Sequence, residues 1–309
     1  MKTVTIPHTD LTVSAFCCGT AALGDSLRGA ALDVLLDTFV AQGGNFFDTA
    51  HCYAFWTAAG AGSSERALAD YLRRRGLWGK VVVATKGGHP GEPGYRTVDR
   101  FLAPGRIAAD LDDSLGRMGI GTIDLYWLHR DDPRVPVGEI VDYLNTEVAA
   151  GRIRYFGGSN WSGARLEEAN AYAAARGLQG FVANEPGWSL ASKPMVRTMR
   201  ELSAADWDFH ARTGMPVIPY SPTAQGFFAT SGAKGREYDN PANRRRLQRV
   251  LALATRRRVS PNQIALAWLR AQPFPVIPIL GTGDPAHLRE ALGALEVELT
   301  PAEARALAG

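Results

Sequence analysis

Four residues have the types and spacing to do acid–base chemistry at one place: Asp48, Tyr53, Lys86 and His129. A phenol is normally too weak an acid to act near neutrality, but a neighbouring ammonium stabilises the phenolate and lowers its pKa. On that logic Tyr53 is the expected proton donor to a carbonyl oxygen whose carbon receives a hydride. Lys86 would tune Tyr53, Asp48 would hold Lys86, and His129 would orient or polarise the carbonyl. Any one of these residues alone reads more simply as part of an ion pair, a satisfied histidine or a surface tyrosine. The chemical reading rests on all four standing together at the ends of apolar runs.

Those runs are the elements that must position them. Short, β-rich segments ending in Gly, Asn, Asp or His recur along the chain: FCCGTAAL, NFFDTAH, VVVATKGG, IDLYWLHR, IRYFGGSN, GFVANEPGW, PVIPYSP and PVIPILGT. Between them lie stretches with helical spacing, such as Leu32, Leu35, Leu36, Phe39 and Val40, or Val137, Ile140, Val141, Leu144 and Val148. Eight such units predict an α/β fold, a closed (β/α)8 TIM barrel, with TVTIPHTDLTV as an N-terminal β-hairpin capping the barrel floor and turning at Pro7 to Asp10. Strand alternation puts Phe46 with Asp48, then Val82 and Ala84 with Lys86, then Leu125 and Trp127 with His129. Each face is apolar until its last member. If these faces point inward, Asp48, Lys86 and His129 crown three adjacent strands, roughly 5 Å apart from strand to strand. A lysine and an aspartate there are expected to pair, since each would be costly alone.

A chain of 309 residues with 46% hydrophobic content is expected to form one domain over residues 1–309. The net charge of +3, from 34 basic and 31 acidic residues, argues against nucleic-acid or membrane partners. The runs Arg73 to Arg75 and Arg256 to Arg258 read as solvated helix faces, whereas Arg244 to Arg246 reads as part of a long loop beginning near Thr223. Sparse cysteines, Cys17, Cys18 and Cys52, suit a reducing compartment, and no stretch has signal-peptide or membrane-span character, so the expected location is cytoplasmic. A monomer or weak homo-oligomer acting on a small molecule is expected. Two other readings are a metal-dependent barrel hydrolase using His51, His129 and nearby acids, and a non-catalytic barrel serving as a redox sensor or regulatory subunit. Lys86 would crowd a metal site with positive charge, no His-x-His pair ends a strand, and the complete quartet argues against a sensor; no metal is expected.

The run GGNFFDTAHCY, the strand end ATKGG and the segment DLYWLHR resemble the signature regions of the aldo-keto reductases, and the resemblance spans nearly the whole chain. It implies a nicotinamide cofactor, NADPH by family habit. By the same resemblance Ser159 and Asn160 would meet the carboxamide, Tyr220 would stack on the nicotinamide, and Ser221 would run along the pyrophosphate. Gly19 and Thr20 would face the cofactor. Gly281, Thr282, Gly283, His287 and Glu290 would lie along its adenosine half.

Departures from the family pattern bear on the cofactor: His287 stands where an Arg is common, with Arg289 or Arg244 to Arg246 as other basic residues for a 2′-phosphate. Gly283-Asp284 replaces the Arg or Lys common near a 2′-phosphate, and a carboxylate there would instead accept from a ribose hydroxyl, favouring NADH; alternatively Asp284 only caps the helix begun by Pro285. Glu185 stands where a glutamine usually holds the carboxamide, and its charge would favour the oxidised, cationic ring. Ala291 replaces a frequent asparagine. For the substrate, a carbonyl or alcohol and possibly a sugar derivative, an aromatic entrance is expected from Phe55, Trp56, Trp161 and Trp188, with Arg130, His51, Asp131 and Asp132 as polar contacts. The chain ends 19 residues after Glu290, so an open pocket is expected, with the loop 223–243 as a clamp.

Overall fold

The computed structural model describes residues 1–92, 95–195 and 198–309. At the N-terminus β1 (Thr3–Thr5) pairs antiparallel with β2 (Thr12–Ser14). The turn between them is closed by Ile6 N–H donating to the Leu11 carbonyl at 2.9 Å. The strands that follow are β3 (Cys17–Gly19), β4 (Phe46–Asp48), β5 (Val82–Gly87), β6 (Gly91–Glu92), β7 (Arg96–Thr97), β8 (Ile123–Leu128), β9 (Ile153–Ser159), β10 (Asn184–Glu185) and β11 (Ile279–Leu280). β6 and β7 form a side hairpin; the others form one parallel sheet in the order β10-β9-β8-β5-β4-β3-β11.

Residues 216–220 close this sheet into a barrel. Ile218 N–H donates to the Asn184 carbonyl at 2.8 Å, and Val217 N–H to that of Pro275 at 2.9 Å. Ile277 N–H in turn donates to the Val217 carbonyl at 2.9 Å. This seventh stave makes isolated bridges rather than a continuous ladder. Pro216, Pro219, Pro275 and Pro278 explain why, because proline offers no N–H to its neighbour. With this stave and β11 the eight sequence-predicted units form the expected (β/α)8 barrel.

Alternation sorts the strand residues into two cores. Phe46, Val82, Ala84, Leu125, Trp127, Ile218, Ile277 and Ile279 fill the barrel interior. Ile6, Leu11 and Val13 of the hairpin join that cluster, so the hairpin plugs one end as expected. The intervening residues, Phe47, Val83, Tyr126 and Leu128, face outward against Leu32, Leu35, Leu36 and Phe39 of the helix Gly29–Ala41, and Ile140, Val141 and Leu144 of the helix Val137–Ala149. Both helices bury the residues their spacing marked, except Val40 and Val148, which are partly buried against the same core. No helix among the described residues is long and apolar enough to cross a membrane.

One basic run lies elsewhere than expected. Arg244 to Arg246 belong to the helix Pro241–Arg257, not to a loop, because Asn240 caps that helix by accepting from Asn243 N–H, with Pro241 in its first turn. Arg244 is paired with Asp239, and Arg246 Nε donates to the Ala308 carbonyl at 3.0 Å. The irregular stretch before the helix holds the short turns Ala224–Gly226 and Arg236–Tyr238.

Candidate active site

The expected inward faces end where the chemistry needs them. β4, β5 and β8 are neighbours, with Asp48 opposite Ala84 and Lys86 opposite Trp127. Lys86 is 1% exposed, and its ammonium is satisfied by close contact with Asp48, by the Thr49 carbonyl at 3.0 Å and by Tyr53 Oη at 3.1 Å. The tight turn after β4 brings Tyr53 back over the pair; its backbone N–H donates to the Ala50 carbonyl at 3.2 Å. The His129 ring stands edge-on to Tyr53, with centroids 6.0 Å apart. All four sequence-predicted residues therefore meet.

Their electrostatics are set by burial first. Burial alone would deprotonate Lys86, but Asp48, Glu185 and Tyr53 hold its ammonium well above the ordinary value. Burial raises the Tyr53 phenol, and Lys86 lowers it by less than burial, Asp48 and Glu185 together raise it. In the free protein Tyr53 thus sits above an ordinary phenol, not below as the sequence suggested, because burial outweighs the ammonium's field and the Asp48 charge adds to it. Burial and the nearby Arg130 charge push His129 well below an ordinary imidazole, so it is neutral.

Glu185 stands beside the same ammonium. It is 2% exposed, with Oε1 at 3.4 Å from Lys86 Nζ and Oε2 without a partner. Burial and then the Asp48 charge raise its carboxyl well above the ordinary range. Lys86, the cation beside Glu185, is in closer contact with Asp48.

A cleft of about 900 Å³ opens beside Asp48 and Tyr53. Gly19, Thr20, Tyr220, Ser221, Gly281, Thr282, Gly283, His287 and Glu290 line it, as does Lys234 from the irregular loop. Gly281 and Gly283 have open space where a Cβ would project, leaving room for a ligand against the backbone. Thr20 is pinned by donating to the Asp48 carbonyl at 2.8 Å. Glu290 is held by Ser260, by Asn262 Nδ2 at 3.1 Å and by Gln263 Nε2 donating to its carbonyl at 2.8 Å. Ser159 and Asn160 end β9 at the barrel mouth. Asn160, with a left-handed φ of 62°, donates to the His129 carbonyl at 3.0 Å and accepts from Tyr220 Oη at 2.8 Å. It ties three staves together and fixes the Tyr220 ring at the cleft edge.

Other expected residues lie outside the cleft. Asp284 is exposed and caps the helix Pro285–Leu292, accepting from Ala286 N–H at 2.7 Å. Trp161 is 1% exposed and stacked near Phe181, with centroids 4.7 Å apart, so it belongs to the outer core rather than the entrance. Trp188 is likewise packed, between Trp268 at 5.5 Å and Phe274 at 6.0 Å. His51 is buried against Asp113 at 3.0 Å, while Asp131 and Asp132 are engaged by Arg165 and Arg134. Trp56 is 56% exposed and lies 6.3 Å from the Tyr53 ring. Arg130 donates to the His129 carbonyl at 2.7 Å.

Sequence reasoning missed His89, Tyr95 and Cys52. His89 lies 5.1 Å from the His129 ring, Tyr95 stacks on Phe55 at 4.6 Å, and Cys52 Sγ is 3.4 Å from His129 Nδ1. His89 and Tyr95 come from loop segments where no periodicity operates; only the adjacency of Cys52 to Tyr53 offered a signal. Among the described residues, no group of three or more His, Cys, Asp or Glu is arranged to hold a metal ion.

Comparison with known proteins gives the chain a family. The model of the Aldo/keto reductase family matches residues 15–309. The uncharacterized oxidoreductase YrpG of Bacillus subtilis is 30% identical, over 97% of this chain and 92% of its own. Norsolorinic acid reductase B of Aspergillus parasiticus is 30% identical over 97% and 81%, and the aldo-keto reductase yakc [NADP(+)] of Schizosaccharomyces pombe 27% over 93% and 84%. In fold, the thermostable aldo-keto reductase Tm1743, solved with the inhibitor epalrestat, matches with a TM-score of 0.75 at 23% identity, over 100% of this chain and 99% of that one. By its family match, its relatives and its barrel, the chain belongs to the aldo/keto reductase family of oxidoreductases.

Proposed function

We propose that the protein, as one domain over residues 1–309, interconverts an aldehyde or ketone and the corresponding alcohol, with Tyr53 as general acid and base. The observation that carries this reading is the contact of Tyr53 with Lys86, itself held by Asp48, on the wall of the cleft. A bound nicotinamide would supply or take the hydride. The residues present fit such a group: Asp48 Oδ1 and Glu185 Oε2 are buried without partners, and the backbone at Gly281 and Gly283 is open. Tyr220 and Ser221 would hold the nicotinamide end; Gly281, Thr282, Gly283, His287 and Glu290 would hold the adenosine end, with Gly19 and Thr20 between them. Ser159, Asn160 and Glu185 would fix the carboxamide.

In reduction Tyr53 Oη gives its proton to the nascent alkoxide, and Lys86 stabilises the phenolate that forms. Neutral His129 is suited to polarise the carbonyl oxygen without competing as a charged acid. Trp56 and Arg130 border the mouth, where they favour a polar carbonyl compound, sugar-derived aldehydes included. NADPH is the favoured cofactor, since Asp284 caps a helix while Lys234 and His287 line the cleft; one relative bears NADP(+) in its name. Three buried, free cysteines suit a reducing compartment such as the cytoplasm.

The test is a titration with NADPH and with NADH followed by tryptophan fluorescence, then turnover of a carbonyl panel by wild type and Tyr53→Phe. Binding of either cofactor, with turnover abolished by Tyr53→Phe while binding persists, is expected. Failure to bind either cofactor, or undiminished turnover by the variant, would overturn the reading.

A further inference from the structure

Under the cleft, two carboxyl groups converge on one ammonium. Asp48 contacts Lys86 directly, Glu185 Oε1 lies 3.4 Å from the same Nζ, and each acid keeps one oxygen without a partner. Both acids are at most 2% exposed, so water cannot solvate a second negative charge there. The titratable groups acting on Glu185 come from every side. Asp48 reaches it from β4, Tyr53 from the turn beyond, Lys86 from β5, Cys17 from β3, Tyr220 from the seventh stave and Arg130 from the end of β8. Of these only Lys86 and Arg130 are cations. Lys86 is in closer contact with Asp48 than with Glu185, and Arg130 is no salt-bridge partner of Glu185.

We propose that Glu185 holds a proton in the free protein and releases it when an oxidised nicotinamide binds, but keeps it when the reduced form binds. This rests on the nicotinamide reading above. A neutral carboxylic acid donates from one oxygen and accepts at the other, the same repertoire as the side-chain amide of glutamine, so it can serve a carboxamide in either redox state. The oxidised ring carries a positive charge and the reduced ring none. Bringing the cation against Glu185 supplies the counter-charge that Lys86 cannot, and the acid ionises: carboxylic acid plus cationic ring gives a carboxylate–cation pair and one proton to solvent. No bond to carbon changes and no electron moves. Affinity for the oxidised form then strengthens by up to about tenfold per pH unit while Glu185 is protonated in the free protein. Affinity for the reduced form lacks this dependence.

The experiment is titration calorimetry of the intact protein with NADP⁺ and with NADPH at one pH, in two buffers of different ionisation enthalpy. The difference in protons released between the two forms isolates the ring, because both carry the same titrating 2′-phosphate. The expected result is about one more proton released with NADP⁺ than with NADPH, and no difference in Glu185→Gln, with both forms still bound and the melting temperature retained. Equal proton counts in the wild type, or a difference that survives in Glu185→Gln, would overturn the proposal while leaving the oxidoreductase reading intact. Binding of neither form would sink both.

Discussion

Replacing Lys86 by Met tests the site most sharply, because it removes one charge from three contacts at once. The ammonium is 3.1 Å from Tyr53 Oη. At an effective dielectric near 20, a full charge at that distance interacts with a phenolate by about 5 kcal/mol. With roughly half a charge developed on the phenol in the transition state, about 2–3 kcal/mol is lost, or about 10²-fold in kcat. A second effect falls on stability, since Asp48 loses its buried counter-ion; breaking such a buried pair costs about 3–5 kcal/mol, reduced if Asp48 takes up a proton. The two effects separate in the double variant Lys86→Met with Asp48→Asn, where the uncompensated aspartate is gone. The double variant should regain most of the stability and none of the rate. The assay is single-turnover reduction at saturating cofactor, alongside urea unfolding. A kcat within about threefold of wild type in Lys86→Met would refute the role given to the ammonium, whatever the stability did.

Trp161→Ala should cost about 3–5 kcal/mol in urea unfolding without a specific rise in KM, whereas Trp56→Ala should change KM and leave stability within about 0.5 kcal/mol; the reverse pattern would restore Trp161 to the substrate entrance. Asp284→Ala should cost about 1 kcal/mol through loss of the helix cap and leave the ratio of NADPH to NADH affinity within about twofold; a tenfold move toward NADPH would place Asp284 at the ribose. His89, pushed down to about 3 by burial and then by the Arg130 and Arg96 charges, and His129, pushed well below its ordinary value, are neutral when folded. Both bind a proton in the unfolded chain below about pH 6.5, so stability is complete above that value and falls with acid by up to about 1.4 kcal/mol per pH unit per histidine. His129→Asn should remove one histidine's share of that slope in denaturation measured from pH 7 to pH 5; an unchanged slope would show that His129 is charged in the fold.

Local pattern carried the barrel and the quartet. Alternation is enforced by the pleat, so once Phe46, Val82, Ala84, Leu125 and Trp127 are inside, Asp48 and Lys86 must point inward at the strand ends and His129 must crown the next strand. Eight apolar runs with helical spacers left little choice of architecture, and the hairpin's Ile6, Leu11 and Val13 could bury only against an open barrel end. What alternation does not govern was decided by tertiary structure. Trp161 and Trp188 look alike as aromatics just past strand ends, and only the helices packed on them show that they face away from the mouth. His89 and Tyr95 reach the site from irregular segments whose paths no periodicity encodes. The charge states are the clearest case. Sequence supplies Tyr53, Lys86, Asp48 and Glu185 with ordinary affinities for protons, but burial and the mutual distances among four groups set the Tyr53 phenol and the Glu185 carboxyl above their ordinary values.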